Sequence, residues 1–332
     1  MTNKERYSAF CARTPQLPIF MQDWWLDAVC AGKEWDVLLC SRSDIEPQAA
    51  SDTADEAEII AVLPYLLRHR AWMRYILMPQ MTQIGGLWMD EKQVSDSKQI
   101  ADICAYFSRQ LEEMDLCYYY QQYPIGTPKV VLDAMVSLGF KSRERITYRI
   151  EDLSNLDAVI AKFSKNKKRQ LQKALSLHAD FGVHIEDFYR FHVHCLSVRK
   201  KQISYSREFL LVLERKASRL HQCQIIGIRN ADNELLAAAF LVWDSHSMYY
   251  LIPCYDETYK DSGASALLAL EAIKFARSKG VAFDFEGSMI KGVAQHYKQF
   301  GSSATRYYGI ERYYKWYFRI AILWNKVKEY KM

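Results

Sequence analysis

The chain has 332 residues, half of them hydrophobic and a quarter charged, so it is long enough for two domains and too apolar for general disorder. Its first ten residues lack the apolar core of a signal peptide, and no apolar run reaches the ~18 residues that span a bilayer. Eight cysteines occur without a CxxC pair. This pattern favours reduced thiols in a cytoplasmic protein and predicts no metal site.

The first half of the chain alternates strand-like and helical segments. An acidic segment, 43–58, has few large apolar residues and predicts a mobile loop. In chain order the predicted elements are an amphipathic helix (FMQDWWLDAV), three strands (WDVLLC, IIAVLPYLL, RYILMPQ), a glycine turn (QIGGLW), a helix at 97–114, an aromatic strand (LCYYYQQY), a helix ended by Gly139 and an alternating strand (ERITYRI).

The second half opens with helices and continues with strands. The turn NADNE between two apolar runs predicts a hairpin. In chain order the predicted elements are a basic helix at 156–178, helices at 192–200 and 207–220, three strands (CQIIGIR, ELLAAAFLVWD, SMYYLIPCY), a helix ended by Gly280, a strand (VAFDFEG), a helix (IKGVAQHYKQF) and a last strand (ATRYYGI).

Both halves share one plan, a strand meander followed by helix, strand, helix and strand. This order predicts an α/β fold with a mixed sheet in α+β layers, and it excludes a barrel or a helix bundle. It is the order of the GNAT (acyl-CoA N-acyltransferase) fold, present twice. We therefore predict an N-terminal GNAT-like domain at 1–150 and a C-terminal one at 151–332, the latter with an aromatic and basic C-terminal helix.

Several segments carry a more specific resemblance. The second half contributes FSKNKKRQLQKA, GASALLALEAIKFARSKGVAFDFEG and HYKQFG, and the first half contributes WWLDAV and MPQMTQIGGLW. Through these segments the chain resembles the GNAT-like FemABX group, the peptidyl and aminoacyl transferases that build peptidoglycan bridges of the bacterial cell wall. It departs from some members, which insert a coiled-coil arm where this chain has only REFLLVLERKASRL.

The resemblance implies a reaction in which an amine of a cell-wall precursor attacks an activated aminoacyl or acyl ester, without a covalent enzyme intermediate. It implies aminoacyl-tRNA as the donor and no tightly bound cofactor. Two alternatives remain open. One is an N-acyltransferase that uses acyl-CoA, and the other is a non-catalytic ligand-binding module on the same fold.

The strand VAFDFEG carries two candidate carboxylates. Asp284 and Glu286 share one face of the strand, and Gly287 allows the chain to turn away after them. Because ligands bind at strand ends in open α/β sheets, Asp284 is a candidate catalytic residue and Glu286 a candidate substrate-binding residue. The alternative is that Asp284 pairs with a basic neighbour and that Glu286 is solvated.

The helix after this strand separates into faces. Lys298 precedes the FG ending at a position where the family has a lysine in the substrate groove, so the resemblance implies a role in binding phosphate or the oxyanion and makes Lys298 a candidate catalytic residue. An unpaired histidine on a helix is more often structural, and His296 is predicted to be so. Helical spacing places Met289, Val293, Tyr297 and Phe300 toward the core, and Lys291, Gln295 and Lys298 on another side.

The turn KDSGAS resembles the loop in which acyl-CoA-binding GNAT proteins hold the pyrophosphate at a helix N-terminus. Lys260 and Gly263 are the candidate binding residues, and Ser265 replaces the final small residue of the motif. A helix N-cap at Asp261 or Ser262 would explain the same sequence.

A concentrated basic stripe lies on the helix predicted at 156–178. It can bind phosphate on a nucleotide-linked peptide, a lipid pyrophosphate or tRNA, and no motif for reading DNA is present. Its candidate binding residues are Lys165, Lys168 and Arg169, accompanied by Gln172, and the predicted inward residues are Phe163, Leu171, Ala174 and Leu175.

Three further features of the sequence concern binding. In the relatives the loop MPQMTQIGGLW faces the substrate groove, which makes Gln83 a candidate binding residue. His192 and His194 could bind metal from a strand, but no third ligand stands near them in the sequence. The tail after Arg306 interleaves aromatic and basic residues, as in peripheral membrane contacts, although packing against the protein explains it better.

Overall fold

The structure, a computed structural model, describes residues 1–30, 32–46, 58–94, 96–287 and 291–319. It forms two compact units, one made of Met1–Arg145 with the segment that begins at Arg306, the other of Ile146–Thr305. The segment after Thr305 thus groups with the first half of the chain, whereas the sequence analysis assigned it to the second. Most of the acidic loop, Met289 and the tail from residue 320 lie outside the described residues.

The elements of the described residues are as follows. The helices are α1 (Asn3–Arg13), α2 (Asp23–Val29), α3 (Arg42–Ile45), α4 (Ser97–Glu113), α5 (Lys129–Ser137), α6 (Leu156–Ala161), α7 (Lys165–Lys173), α8 (Ile185–Val198), α9 (Arg207–Arg219), α10 (Ala264–Lys279) and α11 (Lys291–Lys298). The strands are β1 (Trp35–Ser41), β2 (Ile59–Arg70), β3 (Met73–Leu77), β4 (Trp88–Met89), β5 (Tyr118–Gln122), β6 (Lys141–Ile150), β7 (His178–Asp180), β8 (Cys223–Arg229), β9 (Leu235–Trp243), β10 (Ser247–Tyr255), β11 (Ala282–Gly287) and β12 (Ser303–Tyr313).

The first unit contains a sheet with strand order β1-β2-β3-β5-β12. Strands β3 and β5 are parallel, and the other neighbours are antiparallel. Asp96 is the N-cap of helix α4, and its carboxylate accepts hydrogen bonds from the backbone amides of Lys98 and Gln99. Its apolar face packs into a core that includes Phe107, Tyr119 and Tyr123.

The second unit contains a sheet with strand order β6-β11-β10-β9-β8-β7. Only β10 and β11 are parallel within this order. Helix α10 packs on the sheet through a series of buried alanines, which allow a close approach, and its core includes Phe283, Phe285 and Phe300. Gly280 ends α10 with φ 71°, a left-handed conformation that glycine adopts without strain, as the sequence predicted.

Several predicted elements differ from the structure. The basic helix predicted at 156–178 is two helices, because Ser164 caps a new helix by accepting a hydrogen bond from the Lys167 amide. Leu175 lies beyond the end of α7 and is 79% exposed, so its predicted inward position was wrong. The two histidines His192 and His194 lie on helix α8 and not on a strand.

The histidines of α8 have protein partners. The ring of His192 contacts the Tyr205 hydroxyl at 2.7 Å, and His194 pairs with Asp256 at 3.0 Å. The eight cysteines are free thiols, and seven of them are buried. No helix in the described part of the chain combines the length and the apolar character that crossing a membrane requires.

Candidate active site

The sheet of the second unit opens between its two parallel strands. β10 pairs with β11 over three residue pairs, from Ser247 opposite Ala282 to Tyr249 opposite Asp284. Just past this point the register between β10 and β9 shifts between Tyr249 and Ile252, as in a β-bulge. A bulge bends its strand and re-aims the backbone, which suits a strand end that lines a binding site.

A cavity of about 480 Å³ lies along this part of β10. Its size is in the range of small-molecule sites, and it combines apolar walls with a few charged groups, as such sites do. The lining residues come from α7, the end of α8, β10, the start of α10 and α11: Lys167, Gln170, Arg199, Tyr250, Pro253, Cys254, Tyr255, Lys260, Ser265, Leu268, Gly292, Val293, His296 and Tyr297.

A buried lysine and a histidine contact each other in the wall of the cavity. Lys167 is 1% exposed, and its Nζ atom lies 3.3 Å from Nδ1 of His296 and 3.0 Å from Oε1 of Gln170. The ammonium also lies 4.6 Å from the centre of the Phe300 ring, a distance at which a cation–π contact stabilises the charge. The lysine is therefore held by three groups, none of which is a carboxylate.

Burial shifts the pKa values of this pair in the direction that favours the neutral forms. It lowers the pKa of Lys167 to about 8, so the ammonium still predominates at pH 7. Burial, assisted by the charge of Lys167, lowers the pKa of His296 to about 4, so this ring is neutral at pH 7. The cavity thus holds a cation beside a neutral imidazole.

Two further cations line the cavity. Arg199 donates a hydrogen bond to Glu257 at 3.1 Å and to the Tyr255 carbonyl at 3.2 Å, and its guanidinium stacks on the Tyr255 ring at 4.0 Å. Lys260, a residue selected from the sequence, is exposed at the rim. Together with Lys167 these groups give the cavity a positive lining, which suits an anionic ligand.

Gly263, also selected from the sequence, serves as the N-cap of α10 with φ 84°. A Cβ atom at this position would lie 2.1 Å from the backbone oxygen of Gln170, so α7 packs directly against the start of α10. The Ala264 amide donates to the Ser262 hydroxyl at 3.2 Å, and the Ala266 amide donates to the Gly263 carbonyl at 3.0 Å. Two amides of the first turn are thus already bonded within the protein.

Asp284 lies on β11 and is completely buried. Its carboxylate accepts hydrogen bonds from the Thr147 hydroxyl and the Glu286 amide, and it pairs with Arg149 at 3.3 Å. Burial raises its pKa to about 6, although Arg149 opposes this shift. Asp284 is not one of the described residues that line the cavity. Its contacts with Arg149 and Thr147 are those of a structural ion pair.

Glu286 occupies an unusual position at the end of the same strand. Its φ of 63° is left-handed, a conformation that costs a non-glycine residue about 1–3 kcal/mol and that clusters at functional sites. Its Oε1 atom is buried and has no hydrogen-bond partner among the described residues. Burial, and then the charge of Asp284, raises its pKa well above the usual value, a shift toward the neutral acid.

Glu286 is electrostatically linked to the cavity. After burial, its charge is the next cause of the raised pKa of Tyr297, a residue of the cavity wall. The Tyr297 ring stacks on Phe285 at 4.8 Å, which fixes it between β11 and the cavity. The sequence suggested a solvated side chain as the alternative for Glu286, whereas the structure buries its carboxyl oxygen.

The other candidates selected from the sequence lie elsewhere. Lys298 is exposed on α11, with its ammonium 5.8 Å from the Tyr148 ring, and Gln83 is 8% exposed in the first unit. The basic stripe is exposed on α7, where Lys168 donates to the Ala161 carbonyl and Arg169 to the Asn166 side chain. These positions leave their proposed roles untested.

The most buried charged residue of the cavity lining, Lys167, was not among the candidates predicted from the sequence. Lys167 stands four residues after Phe163 and four before Leu171, both assigned to the inward face of the helix. A lysine at an inward position of the helix could have been recognised as buried. It was not, because it stands among several exposed lysines and arginines. His296 was treated as structural because its partner is distant in the sequence.

Comparison with known proteins identifies the class of the fold. Residues 161–299, a span that contains every lining residue of the cavity, match the family model of the acetyltransferase (GNAT) domain. The chain has the tandem GNAT fold that its element order predicted, and the predicted resemblance to the FemABX group is confirmed at the level of the fold. A comparison with curated protein sequences found no match.

Individual solved structures are similar over nearly the whole chain. FemX is 12% identical with a TM-score of 0.70, over 94% of this chain and 96% of that chain. The C-terminal domain of a putative lysylphosphatidylglycerol synthetase from Agrobacterium fabrum is 10% identical with a TM-score of 0.56, over 93% and 91%. A tandem GNAT protein from the clavulanic acid biosynthesis pathway is 9% identical with a TM-score of 0.53, over 93% and 94%.

Proposed function

We propose that this protein is an N-acyl or aminoacyl transferase that moves an activated acyl group onto the amine of a cell-wall peptide precursor. One observation carries the proposal, namely the cation-lined cavity at the point where β10 and β11 cease to pair. A cavity at the end of parallel strands, inside a GNAT domain, provides an enclosed place for an acyl group and for its anionic carrier.

The reaction requires an oriented carbonyl, a neutral amine and stabilisation of the oxyanion that forms between them. The bulge of β10 places backbone groups of a strand end beside the cavity, and His296 adds an uncharged ring. The raised pKa of Glu286 favours its neutral acid, a form that can donate a hydrogen bond to a substrate oxygen. Arg199 and Lys260 can hold the phosphates of a substrate at the rim.

For the donor we propose an aminoacyl-tRNA, and for the acceptor a phosphate-bearing peptide that is free or linked to a lipid. The support is the likeness of the fold to FemX and the number of cations on α7 and around the cavity. Lys165, Lys168 and Arg169 are exposed and can contact a tRNA backbone. Contact of the tail with a membrane surface belongs to the same proposal.

A second candidate is an acyltransferase that uses acyl-CoA. In its favour, Lys260 and Ser265 line the cavity at the start of α10, where the positive end of the helix attracts a pyrophosphate. Against it, the carbonyl of Gln170 lies beside Gly263, and two amides of the first turn are occupied. We therefore place acyl-CoA second, ahead of a non-catalytic binding module.

A transfer assay separates these candidates. The purified chain is incubated with a UDP-linked muramoyl pentapeptide and either a mixture of tRNAs charged with radiolabelled amino acids or radiolabelled acetyl-CoA. We expect label from the charged tRNA in the peptide, and none when the amine is blocked by acetylation. Label only from acetyl-CoA would establish the second candidate.

If the transfer assay shows no turnover, a thermal-shift measurement tests whether acetyl-CoA or the pentapeptide still binds. Acetyl-CoA at 100 times its dissociation constant would stabilise the fold by about 2.7 kcal/mol, which a thermal shift detects. If neither donor supports transfer while the pentapeptide still stabilises the fold, the protein is a binding module and the proposed activity is wrong.

A further inference from the structure

The contact between Lys167 and His296 has a defined direction. An ammonium group can only donate hydrogen bonds, so Nδ1 of His296 must accept the one that Lys167 directs at it over 3.3 Å. Because the ring is neutral at pH 7, its single proton then resides on Nε2. Lys167 thus selects the tautomer in which Nε2 is a hydrogen-bond donor.

The aromatic neighbours fix the plane of this ring. The ring centre of His296 lies 5.8 Å from that of Tyr297 and 5.5 Å from that of Phe300, with interplanar angles of 72° and 65°. Phe300 is fully buried and also supports the Lys167 ammonium, so one aromatic ring holds both members of the pair. The imidazole is therefore set in orientation as well as in tautomer.

A purely structural explanation of the lysine is unfavourable. Burying an ammonium group costs several kcal/mol per ion, and an apolar side chain of similar length would fill this place without that cost. Within the described part of the chain Lys167 obtains no carboxylate partner in return, since its polar contacts there are Gln170 and His296. Buried charged groups with shifted pKa values are frequent at functional sites.

We infer that His296 is a catalytic hydrogen-bond donor to the acyl carbonyl in the cavity and that Lys167 is the positioning residue that fixes its tautomer. This inference rests on the proposed function. As the amine nitrogen bonds to the carbonyl carbon, the carbonyl oxygen gains negative charge and accepts the Nε2–H hydrogen bond. The carbonyl then re-forms as the carbon–oxygen bond of the ester breaks, and the leaving alkoxide takes up the proton that the amine releases and becomes a hydroxyl. His296 transfers no proton in this step.

The first experiment reads the tautomer without any substrate. The side-chain nitrogens of the full chain are labelled with ¹⁵N at histidine, and the signals of His296 are assigned by their loss in His296→Gln. We expect the Nδ1 resonance of an unprotonated nitrogen and the Nε2 resonance of a protonated one at pH 7. In Lys167→Met this pattern should become a mixture of tautomers, while Lys167→Arg, which keeps a cationic donor, should preserve it.

The matched control is Lys173→Met, which removes an exposed lysine from the last turn of the same helix. It should leave the His296 resonances unchanged. A protonated Nδ1 in the wild type, or an unchanged pattern in a folded Lys167→Met variant, would overturn the assignment of Lys167. Thermal melting shows which variants are folded, and the tautomer of the wild type still decides the assignment if Lys167→Met is unfolded.

The second experiment measures turnover with the charged-tRNA donor of the transfer assay. Loss of one oxyanion donor typically lowers kcat by about 10²–10³-fold, so His296→Leu should fall by this factor with little change in KM. His296→Gln, which retains an N–H donor, should recover part of the loss. Equal activity of His296→Leu and wild type would exclude the catalytic role. If the wild type transfers nothing, the proposed function fails, while the tautomer is decided separately by the NMR measurement.

Discussion

The two glycines that bound α10 allow a matched test of how the site is built. Gly263 begins the helix at φ 84° and Gly280 ends it at φ 71°, so alanine is strained at both positions. Their surroundings differ. A Cβ on Gly263 would lie 2.1 Å from the Gln170 oxygen and 3.2 Å from Cβ of Ala174, whereas a Cβ on Gly280 would meet nothing within 4 Å.

The magnitudes follow from these contacts. A left-handed conformation costs an alanine about 1–2 kcal/mol, which is the whole effect expected for Gly280→Ala. Gly263→Ala adds the displacement of α7, since the clashing oxygen belongs to its backbone, and overpacking of this kind costs about 1–3 kcal/mol. The effect of alanine on the unfolded chain is the same in both variants and cancels in their comparison.

The assay is urea denaturation followed by circular dichroism, on the full chain with both variants. Because the two glycines bound one helix, any stepwise unfolding of the two units affects both variants alike. We expect Gly263→Ala to be less stable than Gly280→Ala by about 1–3 kcal/mol. Equal stabilities would show that α7 does not rest against the start of α10. The backbone of Gln170 would then leave this helix end open to a pyrophosphate.

Three further predictions concern charged groups. The raised pKa of Asp284, about 6 against an ordinary 3.8, means that the folded state holds its proton more tightly, so stability from this group is lost as pH rises through 4 to 6. Asp284→Asn should thus gain about 2 kcal/mol relative to wild type between pH 4 and 7 in denaturation curves, and parallel curves would refute this. Lys298→Ala should leave the melting temperature unchanged and raise KM for an anionic substrate, because the side chain is exposed, and an unchanged KM would exclude it from binding. Replacing Lys165, Lys168 and Arg169 with glutamine should flatten the plot of log binding constant against log salt concentration for tRNA by about 0.7 per phosphate contact removed. Equal slopes for the variant and the wild type would show that these residues form only a solvated face.

The fold was largely readable from the sequence because its signals are local. Helix α10 shows a terminating glycine, and the strand before α11 shows alternating aromatic and acidic residues. The break between α6 and α7 was missed because a serine that caps a helix looks like any other serine inside a basic run. The pairing of β10 with β11 over only three residues depends on register between distant strands, which no local pattern encodes.

The site was less readable for the same reason. Asp284 could be selected, but its partners Thr147 and Arg149 lie on β6, more than a hundred residues earlier in the chain. Lys167 and His296 are separated by 129 residues, and their pKa values shift only when folding buries them and brings the lysine beside the ring. Exposed cations are conspicuous in a sequence, whereas the informative cation is the one that folding encloses.

The return of the chain to its first unit has a consequence for biosynthesis. The sheet of that unit is completed by β12, in which Gly309–Tyr313 pair with β5. The buried Glu311 accepts a hydrogen bond from Tyr118 at 2.9 Å and pairs with Arg143. Until residue 313 leaves the ribosome, β5 lacks this neighbour and Tyr118 lacks its acceptor.

The second unit, Ile146–Thr305, is by contrast one continuous stretch of chain. Domains usually fold in the order of synthesis, from the N-terminus onward. Here the order is inverted, since the unit made second can finish folding while the unit made first waits for its last strand. A fragment ending at Arg145 would expose the edge of β5, and an exposed edge is a template for aggregation. The N-terminal half of this protein is therefore the part that depends on the synthesis of β12.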